Sequence, residues 1–406
     1  MLKLNGAKTS MERITFACQK TKLMNKYWVN ISLGGILLFN SIGSIASLLL
    51  APDLVGYSAV AGAALSVAAD SVVTDDLGAK AAVGIGASTQ TKNIYSGAAV
   101  AAGAFSNSEN IFAIAAAGIA ANASAKNIYA GAAAVLGASA SAKNIYSGAA
   151  VSLGASSSSH DVYAVGAITG TGTNSSSVGA GAITTPAINA YKETFDIEQA
   201  LIQIDIAQKS LSSLEHDFEL GVGLGSNTFV PGIYKGNALT IAANSIIQFD
   251  GNDEEAPLWV FNLGAALVVG AGNRFEIINA GPGASVIWNL GGALDLGAGT
   301  SFVGTAFVTG AVTAATSNVS CGNLFATAAI GVGSIISTNC AKSDTWTGSV
   351  NGLADGVEII NGTVSNRSFK VPEPSTGLLM SGLVLILLFG QLKSRPAGNS
   401  KSQKLN

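Results

Sequence analysis

Few residues of this chain could do chemistry. Its 406 residues include two histidines and three cysteines, and 11% are charged, which leaves little material for acid–base or metal sites. The densest ionisable run is Asp250-Gly251-Asn252-Asp253-Glu254-Glu255. Clustered carboxylates can hold a hard cation, but a calcium loop sets its ligands at alternate positions before a glycine. This run lacks that spacing and reads as a solvated turn. His160 occupies the position that Lys92, Lys126 and Lys143 take in neighbouring repeats, so it reads as a solvent-facing corner and not a base. His216 lies between Glu215 and Asp217, again a surface setting. Gly221-Val222-Gly223-Leu224-Gly225 has glycine spacing but lacks the strand-to-helix context of a phosphate loop. No nucleophile, base and orienting acid assemble, so the expectation is no enzyme, no cofactor and no metal. A net charge of -3 offers no basic field, which excludes nucleic acid as a partner.

The elements that carry these residues are repetitive. Six copies of 17 residues align without a gap over residues 76–177. One column reads Asp76, Asn93, Asn110, Asn127, Asn144, Asp161; the next is aliphatic, from Leu77 and Ile94 to Val162; the third holds Tyr95, Phe112, Tyr129, Tyr146 and Tyr163. A fixed short period means a repeat architecture, and this one is too short for helix pairs but fits one coil of a β-solenoid. Gly97, Gly131 and Gly148 would each weaken a helix by about 1 kcal/mol relative to alanine, whereas in a solenoid they can turn corners. The column Ala81, Ala98, Ala115, Ala132, Ala149 is expected to fill a narrow interior. The Asn column can form a side-chain ladder like those of cross-β stacks. A disordered Ala/Gly/Ser spacer is the alternative, but a spacer has no need of aligned Ile and aromatic columns.

Either side of the array the text changes. Met24, Lys26, an apolar run from Ile31 to Ile45 and the small-x-small site Ser44-Ile45-Ala46 read as a secretory signal peptide. A retained anchor is the alternative, since Leu48–Leu50 prolong the run. Beyond Pro186, the residues Ile197, Ala200, Leu201, Ile204, Ala207 and Leu211 form one apolar helical stripe, opposite Glu198, Gln199, Asp205 and Lys209. This spacing predicts a helix packed on a sheet. Leu258, Val260 and Asn262 alternate with Trp259, Phe261 and Leu263, the two-residue period of a strand largely buried on both faces. Cys321 and Cys340, with eighteen residues between them, lie in a segment expected to be exported. A disulfide closing the last coil is expected there, with two free buried thiols as the alternative. Residues 341–370 are polar and turn-rich and read as a linker.

Several motifs arrive in the order of a known family. Tyr57-Ser58-Ala59-Val60-Ala61-Gly62 and Asp75-Asp76-Leu77-Gly78 resemble the "FAVLAG…T…GDLG" opening of the bacterial and microalgal ice-binding-protein domain, with Asp75 where the family usually has Gly. Phe229-Val230-Pro231-Gly232-Ile233-Tyr234 resembles its "L.PGVY", and Leu239-Thr240-Ile241 to Phe249-Asp250-Gly251 its "LT…LDG". Pro257–Leu263 resembles "A.FIFQI", Val286–Leu290 "VFWQV" and Gly299–Thr305 "G..FVGTI". Apart from the array, the resemblance covers about Leu48–Ser337. It implies a mainly β protein, a right-handed parallel β-helix (solenoid) with one long α-helix packed alongside, which the array extends. The tail, Val371-Pro372-Glu373-Pro374 followed by apolar Leu378–Leu392, Lys393 and Arg395, resembles the PEP-CTERM sorting signal of Gram-negative bacteria, although it runs on to Asn406. That resemblance implies an exosortase-type sorting enzyme as a partner and removal of the apolar helix. The helix is near the lower limit for a span, and its basic flank suits a cytoplasmic end; an uncleaved anchor is the alternative.

The expected organisation is therefore a leader and signal peptide over 1–46 and a first solenoid part with the repeats over 47–185. The helix and ice-binding-like β-helix follow over 186–340, then a linker over 341–370 and a sorting signal over 371–406. The protein would be secreted or held at the cell surface, meeting the membrane only through its signal peptide and its C-terminal helix before processing. The family resemblance implies adsorption to ice through a flat Thr/Ser/Ala face, with Thr305, Thr309, Thr313 and Thr316 as candidates by region. In the array, Ser88, Asn122, Ser139, Ser156 and Thr173 form a second candidate column, interrupted by Phe105. The alternative is a structural or adhesive protein of the surface or biofilm matrix, with exopolysaccharide as partner and no ice activity.

Overall fold

The computed structural model describes residues 47–49, 54–178, 197–315, 319–333, 335–337, 357–360 and 363–366. The leader and signal peptide, Pro186, Thr316, Cys340, the Val371–Pro374 box and the apolar tail lie outside them.

Alternation builds the coils. In the strand Ala134–Leu136, Ala134 and Leu136 are buried and Val135 is exposed. Each such strand pairs in parallel with its equivalent seventeen residues on, as in Asn127↔Asn144, Ile128↔Ile145 and Tyr129↔Tyr146. Identical residues therefore stack on identical residues. Three sheets result: one of fifteen strands, one of thirteen and, on the remaining side of the second half, one of six.

The chain does not fill this stack from one end. Tyr57–Ala61 pairs with Asp76–Ala79 on one side and with Leu324–Ala326 on the other. Likewise Leu65–Val67 lies between Val83–Ile85 and Ile330–Val332. The first coil is thus central. The array stacks away from it to Thr173–Val178, and the second half climbs from Phe218–Glu219 to meet its other edge.

One helix, α1 (Ile197–Ser212), lies along the fifteen-stranded sheet. Its 16 residues span about 24 Å, five inter-strand steps of about 4.8 Å. It crosses Leu258–Leu263, Ser285–Leu290, Thr305–Val308 and Tyr57–Ala61, and near its start Glu198 meets Lys80 at 2.9 Å. Ala200, Ile204, Ala207 and Leu211 pack on Val60, Val260, Ile287, Phe307 and Phe325. The sheet meets carbonyls near its end: Asn262 Nδ2 donates at 2.8 Å to Leu211 O, one of the four left without a partner within the helix, and Asn289 Nδ2 donates at 3.2 Å to Gln208 O, which also accepts from Ser212 Oγ at 2.8 Å.

Coil size sets the filling. The 17-residue coils enclose Ile94, Ile111, Ile128 and Ile145 with small partners such as Ala117, Ala134, Ala123 and Ala140. The longer coils of the second half enclose aromatic rings, with Phe261 stacked on Trp288 at 4.2 Å between centroids. The column Ala81, Ala98, Ala115, Ala132, Ala149 is not interior as expected. It is half-buried at a corner, because the inward positions fall to residues of the flanking strands.

At another corner one residue per coil turns left-handed: Asp70, Ser88, Phe105, Asn122, Ser139 and Ser156, with φ between 55 and 59°. Asn, Asp and Ser tolerate this geometry better than bulky residues. Phe105 is the exception, and its ring is 64% exposed. The last coil omits this corner. Leu153 pairs with Gly170, seventeen on, but Ser158 pairs with Thr173 and Val162 with Ser177, fifteen on. The ungapped alignment of six repeats is corrected here: the final coil is two residues short. Beneath it the hydroxyls of Ser157 and Ser159 are buried without a hydrogen-bond partner.

The linker expected over 341–370 is also corrected. Val357–Ile360 and Thr363–Asn366 form a hairpin whose first strand pairs antiparallel with Ser47–Leu48. Leu49, Val357 and Ile359 are buried in the cluster that α1 seals.

Candidate functional site

The residues with chemical potential stay apart. His160 Nδ1 meets the neighbouring Asp161 carboxylate at 3.1 Å, and His216 Nε2 meets Glu219 at 2.8 Å, both at the surface. Asp250 accepts from Asn279 Nδ2 at 3.0 Å and from the Asn252 amide at 3.1 Å. The acidic run is not the turn expected but the end of the strand Ile246–Glu254, irregular where Asn252 and Asp253 take a left-handed φ. Among the described residues no cluster of three or more His, Cys, Asp or Glu side chains is placed to hold a metal.

The extended feature is the outer face of the thirteen-stranded sheet. Its three-residue strands place one residue outward each, and the registers align these into a column: Thr240, Val268, Asp295, Thr313, Gly331, Ser66, Gly84, Ala101, Gly118, Val135, Ser152, Thr169. The residue before each of these strands is alanine: Ala238, Ala266, Ala293, Ala311, Ala329, Ala64, Ala82, Ala99, Ala116, Ala133, Ala150 and Ala167. From Ala266 onward, each alanine carbonyl accepts from the strand of the preceding coil, as Ala116 O accepts from Val100 N at 3.0 Å. A third outward column, after the strands, holds glycine or alanine from Ala242 and Gly270 through Ala68 to Gly137 and Gly154. At Gly137 a Cβ would lie 2.6 Å from the Ala120 carbonyl carbon, so the adjacent coil leaves no room for one.

This face is flat and nearly uncharged. Twelve steps between its thirteen strands, at about 4.8 Å each, give a length of roughly 58 Å. Across the three columns Asp295 is the sole ionisable residue, and it accepts a hydrogen bond from Thr313 Oγ1. The other sides differ. The fifteen-stranded sheet carries α1 over one half and stacked rings over the other, Tyr95 on Phe112 and Phe112 on Tyr129 both at 4.8 Å. Charges lie elsewhere: Lys126 and Lys143 on array strands of the fifteen-stranded sheet, Arg274 and Glu276 on the six-stranded sheet.

The four candidate threonines do not share a surface. Thr313 projects from the flat face. Thr309 is exposed at a corner beside α1, where Gln208 Nε2 donates to it at 3.1 Å. Thr305 is fully buried, donating to Asn323 Oδ1 at 3.1 Å, and cannot touch an external ligand. It does point out of the sheet, but α1 lies over it. Thr316 lies outside the described residues, as does Cys340, so the Cys321–Cys340 pairing does too. The array column Ser88, Asn122, Ser139, Ser156 is the left-handed corner and not a strand face. Sequence reasoning missed the alanine column, although its signal was present: an alanine precedes each apolar-x-apolar triplet.

A parallel β-helix with one helix along its side is the class that this fold defines. Residues 152–337 match the family model described as Ice-binding-like. The match takes in the motifs between Phe229 and Thr305 and the last coils of the array, but not the opening at Tyr57–Gly78. Among solved structures, the chain is similar to an ice-binding protein from the Antarctic ascomycete Antarctomyces psychrotrophicus, at 16% identity over 69% of this chain and 93% of that one, with a TM-score of 0.38. A glycosylated ice-binding protein from an Arctic yeast aligns at 16% identity over 69% and 90%, with a TM-score of 0.39. A domain of a Shewanella frigidimarina ice-binding protein aligns at 15% over 70% and 95%, with a TM-score of 0.38. No curated protein matches the chain by sequence.

Proposed function

We propose that this chain is an exported, non-enzymatic ice-adsorbing protein. Its β-helix would wind right-handed, as parallel crossovers do, and the flat face of the thirteen-stranded sheet would be its ice-contacting surface. The observation that carries this reading is the regular array of small residues on that face, mostly Ala, Gly, Ser and Thr with Val268 and Val135, in which Asp295 is the one ionisable group. Adsorption to a solid needs a flat and rigid surface, and charged groups oppose it by holding their own hydration. Small apolar groups instead order the first water layer. Of the four threonines named from sequence, Thr313 remains in the proposed site. The Ice-binding-like match over residues 152–337 supports the same reading.

The expected signal peptide and the PEP-CTERM-like tail would bring the protein out of a Gram-negative cell, to the medium or the cell surface. A structural or adhesive role within surface polysaccharide is the second reading. It is favoured by the stacked rings and amides of the array, which add length and stiffness without adding groups to the flat face.

The test is partition into slowly growing ice. The wild-type chain should be taken up into an ice hemisphere, whereas the double variant Ser66→Tyr, Thr313→Tyr should be excluded while melting within a few degrees of wild type. Exclusion of the wild type would favour the adhesive reading.

A further inference from the structure

The flat face is not uniform. Asp295 stands in its middle column, three strands from the end at Gly223–Leu224 and nine from the end at Ile168–Gly170. On the nine-strand side, from Val312–Ala314 across the first coil and through the whole array, no outward position is ionisable. Thr313 satisfies part of the Asp295 carboxylate, and the remainder faces solvent. A carboxylate so placed keeps its water, and covering it with a solid means stripping that water with nothing supplied in return. Resting on the ice reading above, we infer that Asp295 ends the adsorbing surface. The surface comprises the nine strands from Val312–Ala314 to Ile168–Gly170, so most of it is built by the 17-residue repeats. The Asp295 strand itself and the three strands beyond it lie outside.

Five full-chain variants test this by the lowest concentration that inhibits ice recrystallisation, each checked for an unchanged melting temperature. Ser152→Tyr, far out on the array, should raise that concentration at least about tenfold, and Val135→Tyr on the neighbouring coil should do the same. Thr240→Tyr, beyond the boundary, should change it by less than about twofold. Asp295→Thr should lower it several-fold by joining the two stretches, and adding Thr240→Tyr to that variant should reverse the gain. If Thr240→Tyr is as damaging as Ser152→Tyr, or if Asp295→Thr changes nothing, the boundary is overturned while the ice reading stands. An inactive wild type overturns both.

Discussion

Asn110 Nδ2 donates to Asn93 Oδ1 at 2.7 Å, between residues of the same type seventeen positions apart. The pattern repeats at 2.7 Å from Asn127 to Asn110 and at 2.8 Å from Asn144 to Asn127, and Asn93 Nδ2 passes it to the Asp76 carboxylate at 3.0 Å. Asp76 has only acceptors, so it ends the row without leaving a stray N–H. Burial pushes its carboxyl above the usual range, against the opposing pull of the hydrogen bonds from Asn93. Asn127→Leu should therefore strand an acceptor on one neighbour and a donor on the other, costing about 1–3 kcal/mol. Ser141→Ala, in the adjacent strand Ser141–Ser147, should cost under about 0.5 kcal/mol. Urea unfolding of both variants measures the contrast, and equal small losses would mean that the row carries no stability.

Phe105 holds a left-handed φ of 58° with its ring largely in solvent. For a residue with a Cβ this backbone costs roughly 1–2 kcal/mol, and asparagine, present at the equivalent Asn122, bears it better. Phe105→Asn should stabilise the protein by about 1 kcal/mol. A lower melting temperature would show that the ring makes up for the strain.

Thr305 and Asn323 form a buried pair under α1, with Asn323 Nδ2 donating to Tyr57 O at 2.7 Å. Thr305→Val should cost about 1–2 kcal/mol yet leave ice recrystallisation inhibition per folded molecule unchanged. Loss of that activity at an unchanged melting temperature would return Thr305 to the functional site.

Burial pushes the Tyr95 and Tyr234 hydroxyls up to about 12, with the Asp76 charge adding to the effect at Tyr95. Their folded values lie above the ordinary value of 10.0, so the folded state holds these protons more tightly. Their contribution is intact below that ordinary value and is lost as pH rises towards the folded one. Urea midpoints should be level from about pH 7 to 9 and fall above about pH 10. The variant Tyr95→Phe, Tyr234→Phe should flatten that fall; an unchanged slope would assign it to other groups.

The array was legible because one constant register repeats, so aligned columns in the text become stacked columns in space. The shortened last coil was not, since the run Thr171–Ser177 fits the serine columns at either offset. Thr305 was misjudged for a different reason: its outward position is visible in the alternation, but the helix covering it is not. The hairpin at Val357–Asn366 was hidden because its partner, Ser47–Leu48, lies about three hundred residues away. The helix stripe, set by local spacing alone, was read correctly from Ala200 to Leu211.

The central place of the first coil has a consequence for how the chain is made. Each array strand meets its partner seventeen residues after the partner leaves the ribosome, so this part can zip as it emerges, with little loop entropy to overcome. The other edge of Tyr57–Ala61 must wait for Leu324–Ala326. Contacts of that sequence separation form slowly, and an unpaired strand edge is an invitation to other chains. The join between the halves is then the last part to close and the point where a stalled or truncated chain would aggregate. Units could be gained or lost at the far end of the array without delaying that closure.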